Sequence, residues 1–486
     1  MYRYRPIGSL LQYKELENSE IYFASPHELN DPIEGMMDVV WQGDKVVWRN
    51  LLKHYLLCLE QMCCMAMLYK DERDEIKEYI SLDIPIYRRE STLPTEEYKE
   101  IFAEIKHKFF SLDIVLQTID ILCYEQRSVR RNELSLALLA LQRPALKCIF
   151  EVYIARKLHP DNEIIEIFNE PNKTDGYLAS YMNMIKSNSN TVEQNDMLFS
   201  IYKKSMDEIK LLALVNLDED NIYNKLGFLV HDFTDKYLSN LLELAYPKWY
   251  TACFSATCTD ATMWANYAGN HRGVCLKFKP VAKCGGISLP LYMQTGFRAA
   301  MGVAEKVYDW PALSLEKVIY TNDLTQLDFF KSLLTLPIQQ IYDDWYVDQS
   351  DSSVSGCAEV LPLIDDETTG LRLKYWKDFN AITVSKSIDW EKEQEYRLVI
   401  SNVFHDYTDA SSRVFKYKFE NLEGVVFGVN TTFEDKLKIV KIISGLCREH
   451  NRYDFDFYQM SYKGNNKEMV VDKLRLLKFK ADAFST

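Results

Sequence analysis

Four short stretches of this 486-residue chain combine residue types that can do chemistry. The first is Tyr2-Arg3-Tyr4-Arg5. On an alternating strand Arg3 and Arg5 share one face and Tyr2 and Tyr4 the other. Two guanidiniums on one face suit water, carboxylates or a phosphate, although a plain edge strand also accounts for them. The second is Tyr22-Phe23-Ala24-Ser25-Pro26 followed by Asn30-Asp31-Pro32 and Glu34. Turn chemistry suffices for Asn30, while Asp31 and Glu34 could project as a carboxylate pair.

The third runs from Cys253-Phe254-Ser255 through Met263-Trp264-Ala265-Asn266-Tyr267-Ala268 to Asn270-His271-Arg272-Gly273. It places His271 and Arg272 where a helix passes into a strand, a common position for ligand-facing groups. The spacing Cys253-x4-Cys258-x12-His271-x3-Cys275 approaches that of a zinc finger. Cys253 and Cys275 fall inside apolar strand patterns, however, so no metal site is assigned. The fourth is Trp390-Glu391-Lys392-Glu393-Gln394-Glu395-Tyr396-Arg397. If Glu393 and Glu395 begin a strand they face one side. Clustered carboxylates can hold one raised pKa for acid/base work or grip a ribose or a basic group. A charged strand edge with Arg397 paired to a neighbouring acid is the plainer account.

The elements that must position these stretches divide the chain into three segments. Residues 1–44 open with a short strand, a helical stripe at Leu10, Leu11, Tyr13 and Leu16, and a β-prone Ile21-Tyr22-Phe23 closed before Pro26. Residues 45–245 are rich in Leu, Met, Lys and Glu, with apolar residues recurring at three and four. They read as several helices divided at Pro85, Pro94, Pro160, Pro171 and the polar Ser187–Asn190. Strand signals return in 246–486, at Trp249–Ser255, Val274–Lys279, Val318–Thr321, Ala381–Ser385, Tyr396–Ile400, Val414–Phe419 and Gly424–Phe427. Helices are expected over Leu327–Tyr342, broken at Pro337, and over Phe433–His450, with a weakly patterned loop at Asp348–Gly370. The opening has too few strands to bury a core alone. The expected fold is therefore α+β: a mixed sheet core assembled from the N-terminal and C-terminal segments, interrupted by a large all-α insertion.

Composition excludes several classes. With 47% apolar and 26% charged residues the chain is neither disordered nor collagen-like. No apolar run of about 18 residues suits a spanning helix, and no N-terminal signal stretch is seen. Eleven cysteines without framework spacing read as reduced cytoplasmic thiols. A net charge of −14 argues against a chain-wide nucleic-acid footprint. One basic cluster, Arg127, Arg130, Arg131, Arg143, Lys147, Arg156 and Lys157, offers a local nucleic-acid surface or, more plainly, a solvated helix face with internal ion pairs.

The four stretches, in this order, resemble the bacterial family called domain of unknown function 2971, over about 1–44 and 246–450. The resemblance implies bacterial cytoplasmic proteins, some in phage-defence or toxin-like settings. A further likeness is to the Arg–Ser–Glu arrangement of ADP-ribosyltransferases. It implies that Arg3 or Arg5 grips the phosphates of NAD, Ser255 orders the nicotinamide pocket, Glu395 holds the ribose and Glu393 orients the acceptor. The sequence departs from that pattern in having Ser255-Ala256-Thr257 where a Ser-Thr-Ser triplet is usual.

These residues define the expected site. Glu395, Glu393 and His271 are its catalytic candidates; Arg3, Arg5, Asn30, Asp31, Glu34, Ser255, Trp264, Asn266, Tyr267, Arg272 and Arg397 are its ligand-binding candidates. The expected ligand is a nucleotide or another phosphate-bearing molecule, with NAD as a substrate. The helical insertion is expected to take a protein partner or nucleic acid, and no membrane. Two rival readings are a Mg²⁺-dependent nuclease using Asp31, Glu34, Glu393 or Glu395 with His271, and a non-catalytic sensor that docks through the insertion.

Overall fold

A computed structural model describes residues 1–68, 84–159, 181, 192–215, 228–283, 285–300, 303–363, 370–403, 405–464 and 468–479. The chain forms two compact units: Met1–Met36 with Lys248–Leu324 and Asp378–Thr486, and Met37–Pro247 with Thr325–Lys377. Among the described residues no helix is long and apolar enough to cross a membrane.

The fold is mixed α+β. In the first unit Tyr2–Arg5 sits inside an eight-stranded sheet whose other strands all come from beyond residue 246. The spatial order is Glu316–Lys317, Glu395–Ser401, Trp249–Ser255, Tyr2–Arg5, Val274–Phe278, Leu422–Phe427, Asp456–Lys463 and Glu468–Lys473. Neighbours are antiparallel except Leu422–Phe427 and Asp456–Lys463, which run parallel around the helix Phe433–Glu449. One face of the sheet packs on that helix through Ile439, Ile443 and Leu446. Leu276, Leu398, Val425 and Phe457 share this core with Ile21 and Phe415 from a second sheet. The other face carries a smaller core, Tyr4, Trp264, Cys275 and Val426, beneath the short helix Ala261–Tyr267. The Asp260 carboxylate caps that helix, accepting a bond from the Met263 amide at 2.9 Å.

The second unit packs the helices Lys45–Leu68, Glu96–Phe110, Asp113–Leu122, Arg131–Ala155 and Phe233–Leu241 around Trp48, Tyr55, Phe102, Leu138 and Phe233. The polar Ser187–Asn190, Pro160 and Pro171 lie outside the described residues. The basic cluster is largely spent on internal pairing. Arg127 pairs with Glu133, Arg156 with Glu104, and Arg130 with Asp38 at 3.0 Å, while Arg131 donates to the Ser239 hydroxyl at 2.7 Å.

Two expected elements differ. The α-helix expected before Pro337 does not form: Gln326–Asp328 is a strand pairing in parallel with Asp38–Trp41 and Phe329–Lys331 a 3-10 turn, and α-helix appears only at Ile338–Ile341 after Pro337. Ala381–Ser385 is not a strand. Helix Leu371–Thr383 runs through most of it, and only Ser385–Lys386 pairs, with Ile319–Tyr320. In both places an apolar run short enough to suit either state is decided by what it packs against.

Candidate functional site

The first unit's large sheet opens beside its first strand. Tyr2–Arg5 pairs with Val274–Phe278 over all four of its residues, but with Trp249–Ser255 only at Tyr2 and Ser255. Beyond that point Trp249–Ser255 bonds to Ala24 instead, through reciprocal Thr251–Ala24 backbone bonds at 2.8 Å. The gap holds a cavity of about 200 Å³ lined by residues of all four stretches, among them Arg3, Asn30, Ser255, Tyr267, Glu393 and Glu395.

Register explains the deeper wall. Glu395 lies opposite Ser255 and Arg397 opposite Cys253, so Glu395 and Arg397 share a face of their strand. Glu393 arrives differently from the sequence expectation. It ends the 3-10 turn Ile388–Glu393 and is not part of the strand, and Gln394 between the two acids has a left-handed backbone (φ 46°). That reversal lets Glu393 and Glu395 converge on one cation, Lys386, whose ammonium donates to them at 2.7 and 2.9 Å. Arg397, fully buried, donates to Glu395 at 2.8 Å, to the Thr383 carbonyl at 2.8 Å, and pairs with Glu34. Lys386 also lies 3.9 Å from Glu34 and 4.9 Å above the Trp390 ring. Three carboxylates and two cations thus form one buried network. Lys386 was missed by sequence reading. Its only local signal is a lysine seven residues before Glu393, with nothing to say which way either side chain turns.

The electrostatics follow from burial. Burial pushes the Glu395 carboxyl above its ordinary value, with the Lys386 ammonium opposing. For Lys386 burial opposes the charge, but Glu395 and Glu393 outweigh it and hold the ammonium above the ordinary lysine value. The Tyr267 hydroxyl donates to Glu393 at 2.8 Å, and burial raises that phenol too.

The remaining candidates divide. Arg3 is buried, lies over the Phe254 ring at 5.7 Å and donates to the Tyr22 carbonyl at 3.0 Å. Arg5 pairs with Glu15. Arg5, Asn30 and Glu34 line the cavity. Asp31 is buried; its Oδ1 accepts from the Ile33 amide at 3.1 Å, and its Oδ2 has no hydrogen-bond partner among the described residues. Ser255 lines the cavity but spends its hydroxyl on the Glu393 carbonyl at 2.8 Å and the Thr257 amide at 3.1 Å. Trp264, Asn266, His271 and Arg272 do not line it. Trp264 is core, edge-on to Tyr4 at 5.2 Å, with its indole nitrogen donating to the Cys258 carbonyl at 2.7 Å. Asn266 and Arg272 face solvent. His271 belongs to the turn after the helix, where Gly269, Asn270 and His271 all have positive φ.

Gly273 closes that turn because a Cβ there would collide with the Arg5 and Ala268 carbonyls. Gly273→Ala is expected to cost about 1–3 kcal/mol of stability by overpacking, read from urea unfolding. An unchanged midpoint would show that the turn relaxes freely.

The zinc spacing assembles no site: among the described residues no group of three or more His, Cys, Asp or Glu could hold a metal ion. Of the four acids in the Mg²⁺ reading, Glu34, Glu393 and Glu395 already face Lys386 and Arg397, while Asp31 has no such pairing among the described residues.

No curated protein and no solved structure matches the chain. The family comparison covers somewhat over a quarter of it, a stretch holding Trp264, Tyr267, His271, Lys386, Glu393, Glu395 and Arg397 but not Arg3, Glu34 or Ser255. Residues 263–398 match the family model described as protein of unknown function (DUF2971).

Proposed function

We propose that the cavity beside Glu393 and Glu395 binds part of a nucleotide and that the protein acts on NAD or another nucleotide there, with ADP-ribosyl transfer as the sharpest form. One observation carries this reading: a single cavity is lined at once by Arg3, Arg5 and Lys386, by the Tyr267 hydroxyl, and by Glu34, Glu393 and Glu395. Arginines suit phosphate oxygens, and a buried carboxylate suits a ribose hydroxyl and the positive charge that grows as a glycosidic bond breaks. At about 200 Å³ the cavity is smaller than the roughly 300–1,000 Å³ of drug-sized sites, so it would take one part of the molecule, a ribose or a phosphate.

In the transferase form the bond between nicotinamide and ribose breaks, and nicotinamide leaves with the electron pair. Glu395 stabilises the developing oxocarbenium. An acceptor oriented by Glu393 supplies the electron pair of the new bond and gives up its proton to solvent. The ADP-ribosyltransferase likeness has no support from the comparisons with known proteins; it rests on Arg3, Ser255 and the Glu393–Glu395 pair. The setting of a cytoplasmic defence or toxin-type effector rests on the family resemblance alone. The network of Lys386 and Arg397 makes a Mg²⁺-dependent nuclease the weaker alternative.

The test is incubation of the full chain with NAD and cell lysate, following nicotinamide release and transfer of labelled ADP-ribose. Activity should fall about a hundredfold or more in Glu395→Gln. A folded wild type that releases no nicotinamide and labels nothing overturns the transferase form. The non-catalytic sensor then becomes the better account.

A further inference from the structure

The helical unit holds a separate cavity of about 340 Å³. Its apolar lining includes Leu57, Leu336 and the buried Trp345. Its polar lining includes Lys53, Arg88, Arg89, Glu90 and Asp344.

Most of these charges are already matched. Arg89 forks onto Asp344 at 2.5 and 3.2 Å, and Glu90 receives Lys106 at 2.5 Å. Asp343 accepts from the Gln339 amide at 2.8 Å, and Lys99 turns to Glu96 at 2.6 Å. His54 adds no charge. Its Nε2 donates to the Ile86 carbonyl, which leaves Nδ1 to accept from the Tyr237 hydroxyl, both at 2.9 Å. Burial pulls this imidazole down to about 4, so it is neutral at pH 7. Lys53 and Arg88 remain. Among the described residues neither has a carboxylate within ion-pair distance; burial pulls the half-buried Lys53 ammonium below its ordinary value, with the more distant Glu90, Asp344 and Asp348 opposing. A half-buried cation with no carboxylate in direct contact still gains from an anion that reaches it.

We infer that this cavity binds the phosphate group of a small molecule, with Lys53 reaching it from inside, Arg88 closing over it from the rim, and the apolar wall at Trp345 receiving the rest. Lys53 offers a compact point charge and Arg88 a planar fork, a pairing suited to tetrahedral oxyanions. The inference concerns the helical unit alone and stands whether or not the first unit acts on NAD.

The experiment is calorimetric titration of the full chain with inorganic phosphate, comparing wild type with Arg88→Ala, Lys53→Met and Arg3→Gln. Arg88 is exposed, so its removal leaves the core intact. Wild type should bind. Arg88→Ala and Lys53→Met should each weaken binding about tenfold to a hundredfold, and Arg3→Gln should leave that binding in place. Binding that survives in both Arg88→Ala and Lys53→Met, binding lost only in Arg3→Gln, or no binding to wild type overturns the assignment.

Discussion

Arg397→Met is expected to lower the stability of the chain by about 3–5 kcal/mol, seen as a fall in the urea midpoint and in Tm. The guanidinium is fully buried and answers Glu395 and Glu34 together, so removing it leaves three buried carboxylates to share Lys386 alone. The methionine roughly replaces its volume, so the loss reports charge more than cavity. A companion variant, Arg397→Met with Glu34→Gln and Glu395→Gln, removes charges on both sides and should recover part of the loss. That recovery is what a charge network predicts and a packing defect does not. A single variant as stable as wild type would refute the network as a structural element.

The second large effect concerns pH and lies in the helical unit. Glu60 is fully buried, and its carboxylate accepts hydroxyl bonds from Tyr153 at 2.6 Å and Tyr98 at 2.9 Å. Burial pushes its carboxyl from the ordinary 4.5 up to about 7, the two phenols opposing. Because the folded value is the higher one, the folded chain holds more protons than the unfolded chain between about pH 4.5 and 7. This group's stabilising contribution is complete below pH 4.5 and is lost as pH rises through 7. The full difference amounts to about 3 kcal/mol. Urea unfolding at pH 5 and pH 8 should show this loss in wild type, and Glu60→Gln should remove that part of the slope. Equal slopes in the two proteins would mean that Glu60 ionises in the folded state as it does in water.

Short-range patterns made much of the first unit legible. Alternation at Val274–Phe278 and the apolar aromatic run at Trp249–Ser255 are properties of strands half-buried or buried in a sheet, and both are strands. The shortage of strands near the N-terminus required partners from far along the chain, and Tyr2–Arg5 found them in Trp249–Ser255 and Val274–Phe278. The long hairpin Gly286–Ala300 with Val303–Asp309 was not foreseen. Much of it stands exposed, with Phe297 and Tyr308 facing solvent, so no buried face imposes a clear alternation on its sequence.

At the candidate site the local sequence determined residue types and only some directions. Strand alternation puts Glu393 and Glu395 on one face, but the strand begins only at Glu395, and the residue that shares its face there is Arg397. It could not reveal that Gln394 turns left-handed, or that Glu393 and Glu395 meet on Lys386. Nor could it separate Tyr267, which reaches Glu393, from Trp264 three residues earlier, which fills the core beneath the same helix. Which side of a short helix meets a cavity depends on the sheet under it. Which carboxylate finds which cation depends on strands brought together from opposite ends of the chain. The sequence by itself determined the α+β class and the interrupted sheet and offered candidate polar groups without Lys386; the tertiary structure decided which groups converge, since buried charges settle only where distant elements supply their partners.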